Sequence, residues 1–135
     1  MKRVMAVCLV SALGALWIGS TVLAKGHVGG GVLDGKSFTG QMGKKGQTQG
    51  DKDTFIFKEG MFRSTACDPY GFKPASYSSA QSGEKVIFKA DAFSPTEGGM
   101  KWNGTVQGNE IKGTAVWVKS GKAPVEHWFT GKTEK

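Results

Sequence analysis

Residues 84–119 read EKVIFKADAFSPTEGGMKWNGTVQGNEIKGTAVWVK, and apolar residues alternate with polar ones along most of this stretch. A period of two places successive side chains on opposite faces of a β-strand, and no stretch shows a convincing helical period. Turn sequences rich in glycine divide the stretch into segments 84–93, 100–107 and 110–119. We therefore predict three antiparallel strands joined by short turns.

The same pattern extends outward over the rest of the chain from residue 36 onward. Further segments that alternate and are bounded by turn residues are 36–42, 54–58, 61–67, 72–80 and 125–132. Short strands at this spacing can close into a small barrel. We predict an all-β fold, namely an antiparallel up-and-down eight-stranded β-barrel.

One face of the predicted strands is apolar and the other carries lysines. The set predicted to face inward is Phe38, Phe55, Phe57, Phe62, Val86, Phe88, Ala90, Ala92, Met100, Trp102, Gly104, Val106, Ile111, Gly113, Ala115 and Trp117. An outer-membrane barrel would instead carry an apolar band on the outside, over strands of about 9–11 residues. The lysine-bearing faces and the short strands favour a barrel surrounded by water.

The N-terminus has the composition of a secretory signal peptide. Lys2 and Arg3 precede an apolar run, and small residues before Ala24 suit a cleavage site after that residue. We predict a signal peptide over 1–24, a flexible glycine-rich lead-in over 25–35 and a single β-barrel domain over 36–135. The protein is then expected to be exported, periplasmic or extracellular, with no integral membrane span after cleavage.

The basic charge of the chain is dispersed. Loss of Lys2 and Arg3 with the signal peptide would lower the net charge from +7 to +5, and Arg63 would be the only arginine left. Lysines scattered along every segment are typical of a solvated exterior and of protected strand edges. We therefore expect no nucleic-acid partner.

Residues able to carry chemistry are few. Cys67 is the only cysteine after residue 24, and the only histidines are His27 and His127. A cysteine nucleophile needs a base that is itself oriented by a third group, and the three residues match no zinc-ligand spacing. We expect no catalytic residue, no metal site and no cofactor.

Tryptophan is the more informative residue type. Trp102, Trp117 and Trp128 fall in the last three predicted strands, each close to glycine or other small residues. Large rings facing small residues leave space that must be filled by another side chain or by a ligand. Both interpretations, a packed core and a lined pocket, are open at this point.

Three short motifs occur in a fixed order along the chain: Gly60-Met61-Phe62-Arg63-Ser64, then Trp102-Asn103-Gly104, then Trp117 and Trp128. This order resembles the avidin family of small secreted barrels, within the calycin-like (avidin and lipocalin) architecture. The resemblance runs loosely over most of the chain after residue 24. It implies a ligand site in the barrel interior. The ligand-binding residues that it implies are Trp102, Trp117, Phe62, Ser64 and Trp128.

The polar residues of an avidin biotin site are mostly missing. Gly40 and Lys44 stand where avidins have Asn and Ser, and Phe62 stands where they have a hydroxyl-bearing Tyr. Buried hydrogen bonds of this kind decide specificity, so biotin is not the expected ligand.

The function expected from the sequence is an exported, non-enzymatic β-barrel protein that binds a small apolar ligand in its interior. One alternative is an envelope interaction or inhibitor module that acts through its loops, chiefly 43–53 and 68–74. The other is a thiol-dependent protein that uses Cys67.

Overall fold

The alternating segments pair into one closed sheet. The computed structural model describes residues 31–133. Within them each strand pairs antiparallel with the next, and the last pairs with the first. The strands are β1 (Ser37–Lys44), β2 (Asp51–Lys58), β3 (Met61–Ser64), β4 (Ala75–Ser82), β5 (Lys85–Ser94), β6 (Gly98–Gln107), β7 (Glu110–Val118) and β8 (Val125–Thr133). The predicted all-β up-and-down eight-stranded barrel is confirmed.

The predicted signal peptide over 1–24 lies outside the described residues, as does the lead-in up to residue 30. In residues 31–133, no helix has the length and apolar character needed to cross a membrane.

One predicted strand ends early. The segment predicted as a strand over 61–67 leaves the sheet after Ser64 and continues as a 3₁₀ helix, Thr65–Tyr70. The buried carboxylate of Asp53 accepts a hydrogen bond from the backbone N–H of Ala66, at 2.9 Å. This bond holds the first turn of the helix against β2, so the chain bends inward across one end of the barrel.

The middle of the barrel is filled by aromatic rings. Trp102 is 2% exposed, and its ring lies 4.8 Å from that of Phe62 and 5.1 Å from that of Phe129, measured between centroids. Such tilted and edge-to-face pairs add about 0.5–1.5 kcal/mol each beyond the area they bury. The other buried phenylalanines are Phe38, Phe55, Phe57, Phe72 and Phe88. Most of the predicted inward face therefore forms the hydrophobic core, against which Val86 and Trp117 pack as partly buried residues.

The aromatic rings occupy space that is free because glycines have no side chain. Gly104 of β6 lies directly opposite Gly113 of β7. A Cβ atom at Gly104 would come within 2.5 Å of the Phe88 ring and 2.8 Å of the Phe129 ring. The space beside Trp102 is thus taken by phenylalanine side chains.

The two ends of the barrel differ. At the lower end, where the turn Glu59–Gly60 joins β2 to β3, the segment before β1 folds across the opening. Leu33 is completely buried there, and the Asp34 carboxylate accepts hydrogen bonds from the Tyr77 hydroxyl (2.8 Å) and the Gly60 N–H (3.0 Å). At the upper end, where β1 and β3 finish, the 3₁₀ helix covers only part of the opening and borders a cleft.

A candidate ligand cleft at the upper end of the barrel

A cleft of about 390 Å³ opens at the upper end of the barrel. Its walls come from the ends of several strands, from the 3₁₀ helix and from the turn between β5 and β6. The residues that line it are Met42, Gly43, Lys44, Gln47, Asp51, Ala66, Cys67, Tyr70, Phe72, Glu97, Met100, Trp117 and His127. Because the alternation of the strands continues to their upper ends, inward-facing side chains there border the cleft instead of the core.

The inner part of the cleft is apolar. Met42, Met100 and Phe72 are buried, and the half-buried indole of Trp117 stands beside them. The Trp117 Nε1–H donates a 2.7 Å hydrogen bond to the backbone carbonyl of Glu97, which fixes the ring. Methionine side chains adapt to irregular shapes, so this surface can accommodate an apolar group.

The rim of the cleft carries charge. Lys44 and Asp51 are exposed on neighbouring strands, and neither takes part in an ion pair within residues 31–133. The Glu97 carboxylate, in contrast, lies 3.7 Å from the Lys119 ammonium group. Lys44 and Asp51 are therefore available to a charged group at the mouth of the cleft.

His127 borders the cleft from β8, directly opposite Lys44 of β1. Burial lowers the pKa of His127, and the positive charge of Lys44 adds to this effect. Backbone groups of Ala115 and Val125 oppose the change, and the net lowering of the pKa favours the neutral imidazole. Its Nδ1 atom is buried and has no hydrogen-bond partner among the described residues.

A hydrogen-bonded carboxylate supports the wall of the cleft. Asp53 is 1% exposed and accepts hydrogen bonds from the Ser64 hydroxyl (2.6 Å) and from the backbone N–H groups of Thr54 (2.7 Å) and Ala66 (2.9 Å). Burial raises the pKa of Asp53, while these donors oppose the increase. Asp53 therefore anchors the start of the 3₁₀ helix, and its carboxylate oxygens already accept hydrogen bonds from the protein.

The Cys67 thiol is buried in the wall of the cleft. Burial raises the pKa of Cys67 to about 11, and the negative charges of Asp53 and Asp68 act in the same direction. Only the thiolate is a strong nucleophile. A thiol with this pKa is protonated near neutral pH, as expected of a side chain that serves packing.

The structure brings one of the residues implied by the avidin resemblance to the cleft. Trp117 lines it, whereas Trp102 and Phe62 belong to the core below. Ser64 is buried and donates its hydroxyl to Asp53. Trp128 lies on the outer face, where it packs over Gly43 and donates its indole N–H to the backbone carbonyl of Gln47 at 2.9 Å.

Sequence reasoning missed several residues of the cleft. Met42 and His127 sit at the upper ends of β1 and β8, where the register of the closed sheet sets which side chains meet. The only signal in the sequence was the alternation itself, which placed Met100 and Trp117 inward. No local motif marks Tyr70, the last residue of the 3₁₀ helix, or Glu97, in the turn between β5 and β6.

A second, outer groove of about 780 Å³ follows β4 and β5 on the surface of the barrel. It is bordered by Lys73, Ser76, Lys89 and the exposed ring of Phe93. Because it lies outside the closed sheet, it cannot enclose a small ligand as the upper cleft can.

Comparisons of the chain with protein-family models, with curated proteins and with solved structures found no match. The resemblance to avidins therefore stays a prediction beyond the barrel architecture itself. Within residues 31–133, no group of three or more His, Cys, Asp or Glu side chains is placed to hold a metal ion.

Proposed function

We propose that this protein is a non-enzymatic binding protein that takes a small, largely apolar ligand into the upper cleft. The observation that carries the proposal is the contrast between the two parts of the interior. Side chains fill the barrel around Trp102, whereas the space beside Trp117 is open to solvent. The cleft volume of about 390 Å³ falls within the roughly 300–1,000 Å³ of typical small-molecule sites.

The arrangement favours a ligand with an apolar body and a charged end. The body would contact Trp117, Met42 and Met100, an apolar surface whose indole N–H is already hydrogen-bonded to the Glu97 carbonyl. The charged end would reach the rim, where Lys44 suits a carboxylate and Asp51 suits an amine. Medium-chain fatty acids, alkylamines and aromatic acids represent these classes and form a practical panel.

Filling the cleft tests the proposal. The Ala66 side chain faces the cleft from the 3₁₀ helix, so Ala66→Phe would occupy the space that a ligand needs. Thr114→Phe is the matched control, because Thr114 is exposed on the outer face of β7. We expect a compound from the panel to bind the native protein and Thr114→Phe in isothermal titration calorimetry, with at least tenfold weaker binding to Ala66→Phe.

Equal affinity for the native protein and Ala66→Phe would place the ligand elsewhere and contradict the proposal. Absence of binding across the whole panel, with all three proteins folded by circular dichroism, would also count against it.

Export belongs to the same proposal and is supported by the composition of residues 1–24. N-terminal sequencing of the protein purified from its native host should start at Lys25. A mature chain that keeps Met1 would contradict export through a cleaved signal peptide.

A further inference from the structure

The edge of β4 that faces β3 is left unpaired over more than half of its length. The two strands pair only at Met61–Ser76 and Phe62–Ala75. One further bond joins the Tyr77 N–H to the carbonyl of Gly60 at 3.1 Å. Gly60 belongs to the turn from β2, just before β3 begins at Met61. Beyond Tyr77, no backbone partner within residues 31–133 reaches this side of β4.

The direction of the free backbone groups follows from the pleat. The Tyr77 N–H points away from β5, so the N–H and C=O groups of Ser79 and Gln81 point the same way, since the direction alternates along a strand. The intervening residues Ser78, Ala80 and Ser82 direct theirs to β5, with which β4 pairs up to Ser82–Lys85. Ser79 and Gln81 thus present two donors and two acceptors along an open edge.

This edge lacks the features that usually prevent strand pairing between molecules. Residues 78–82 read SSAQS and contain neither proline nor a charged side chain. On the outer face the exposed Ala80 lies opposite Ile87 of β5, whose side chain is 40% exposed. A small apolar patch therefore borders the unpaired backbone.

The geometry points to a second copy of this chain as the partner, paired through β4 in an antiparallel arrangement with a two-fold axis at Ala80. Ser79 of one copy then lies opposite Gln81 of the other, and the two such pairs complete four N–H···O=C hydrogen bonds. A two-fold antiparallel pair is self-complementary, so one edge serves both copies. The small Ala80 at the axis lets the strands approach, and Ile87 lies beside Ala80 within each copy.

This inference is independent of the ligand proposal, since β4 contributes no residue to the upper cleft. The net positive charge, +7 for the full chain and +5 after the proposed cleavage, adds a second expectation, because like-charged copies repel. Screening by salt should therefore strengthen the dimer. Sedimentation velocity at 20 mM and at 300 mM NaCl, over a range of protein concentrations, measures this directly.

Cysteine crosslinking tests the register of the pairing. In the proposed register Ala80 faces its own copy in a non-hydrogen-bonded pair, with Cα atoms about 4.5 Å apart, which a disulfide can bridge. In a Cys67→Ser background, which removes the native cysteine that remains after the proposed cleavage, Ala80→Cys should form a disulfide-linked dimer under mild oxidation. Ser82→Cys is the control in the same strand, because its two copies would lie several residues apart and should remain unlinked.

Mixing Ser78→Cys with Ser82→Cys should link the two variants to each other, since these positions are opposite in the same register. Equal crosslinking of Ala80→Cys and Ser82→Cys would indicate random collision and overturn the inference. So would a native protein that sediments as a monomer at every concentration and salt.

A charged side chain at the two-fold axis gives a second test of the dimer. Ala80→Lys places two ammonium groups together and should abolish the dimer, whereas Thr114→Lys on the outer face of β7 should not.

Hydrogen exchange tests whether the edge is open in the monomer. If the Ser79 and Gln81 amides were protected from exchange in a monomer, another part of the chain would cover the edge. That result would also overturn the inference.

Discussion

At the scale of single residues, the absence of a side chain at Gly104 decides whether the core can close. Phe88 and Phe129 occupy the space where a Cβ atom would stand. The rings are held by their neighbours and cannot withdraw without moving others. Gly99 lies on the same strand, and the nearest atom to a Cβ there would be 3.8 Å away.

We predict that Gly104→Ala lowers the free energy of unfolding by about 1–3 kcal/mol, the usual cost of overpacking. Gly99→Ala is the matched control and should change it by less than about 0.5 kcal/mol. Urea unfolding followed by tryptophan fluorescence measures both. A Gly104→Ala protein as stable as the Gly99→Ala protein would mean that the aromatic core is looser than described.

His127 gives the fold a dependence on pH. Its pKa is lowered in the folded protein, so the unfolded chain takes up a proton first as the pH falls below the ordinary value of about 6.5. The free energy of unfolding therefore falls as the pH drops below this value, until His127 is protonated in the folded protein as well. Asp53 acts with the opposite sign, because a raised carboxyl pKa favours the folded state on protonation.

The free energy of unfolding of the native protein should thus be lower at pH 5.5 than at pH 7.5. In His127→Gln the difference should be clearly smaller, since the titrating group is gone. An identical difference in both proteins would assign the pH dependence to other groups.

At the scale of elements, the segment before β1 closes the lower end. Its glycine-rich composition predicted a flexible lead-in over 25–35, yet Leu33 is completely buried, whereas Val32 beside it is 59% exposed. Nothing local in the sequence distinguishes the two residues. The difference arises because the Asp34 carboxylate binds Tyr77 and Gly60, which turns Leu33 toward the core.

We predict that Leu33→Ala costs about 2–5 kcal/mol of stability, as for other buried leucines. Val32→Ala should have an effect within about 0.5 kcal/mol. Thermal unfolding by calorimetry would compare them, and equal melting temperatures would contradict closure of the lower end by Leu33.

At the scale of the whole molecule, alternation was sufficient to predict the barrel, its strand number and most of the core. Phe88, Trp102 and Ile111 were predicted to face inward and do so, because a period of two is a local property of each strand. The cleft could be predicted only in part. Trp117 follows from alternation, but the wall at Ala66 depends on Asp53, a partner thirteen residues away that no pattern reveals.

The same limit explains the other tryptophans. Trp102 and Trp117 are both inward-facing, and only their height in the barrel separates a core residue from a cleft residue. That height is set by the register of the closed sheet, in which Met100 pairs with Trp117 near the upper end. Trp128 points outward because its neighbour Phe129 points inward.

The indole N–H signals of these tryptophans provide the most direct test of ligand binding in the upper cleft. In a ¹H–¹⁵N spectrum, assigned with single Trp→Phe variants, addition of a compound from the panel should shift the Trp117 signal and leave that of Trp102 nearly unchanged. A bound compound that shifts Trp102 or Trp128 while Trp117 stays in place would contradict ligand binding in the upper cleft.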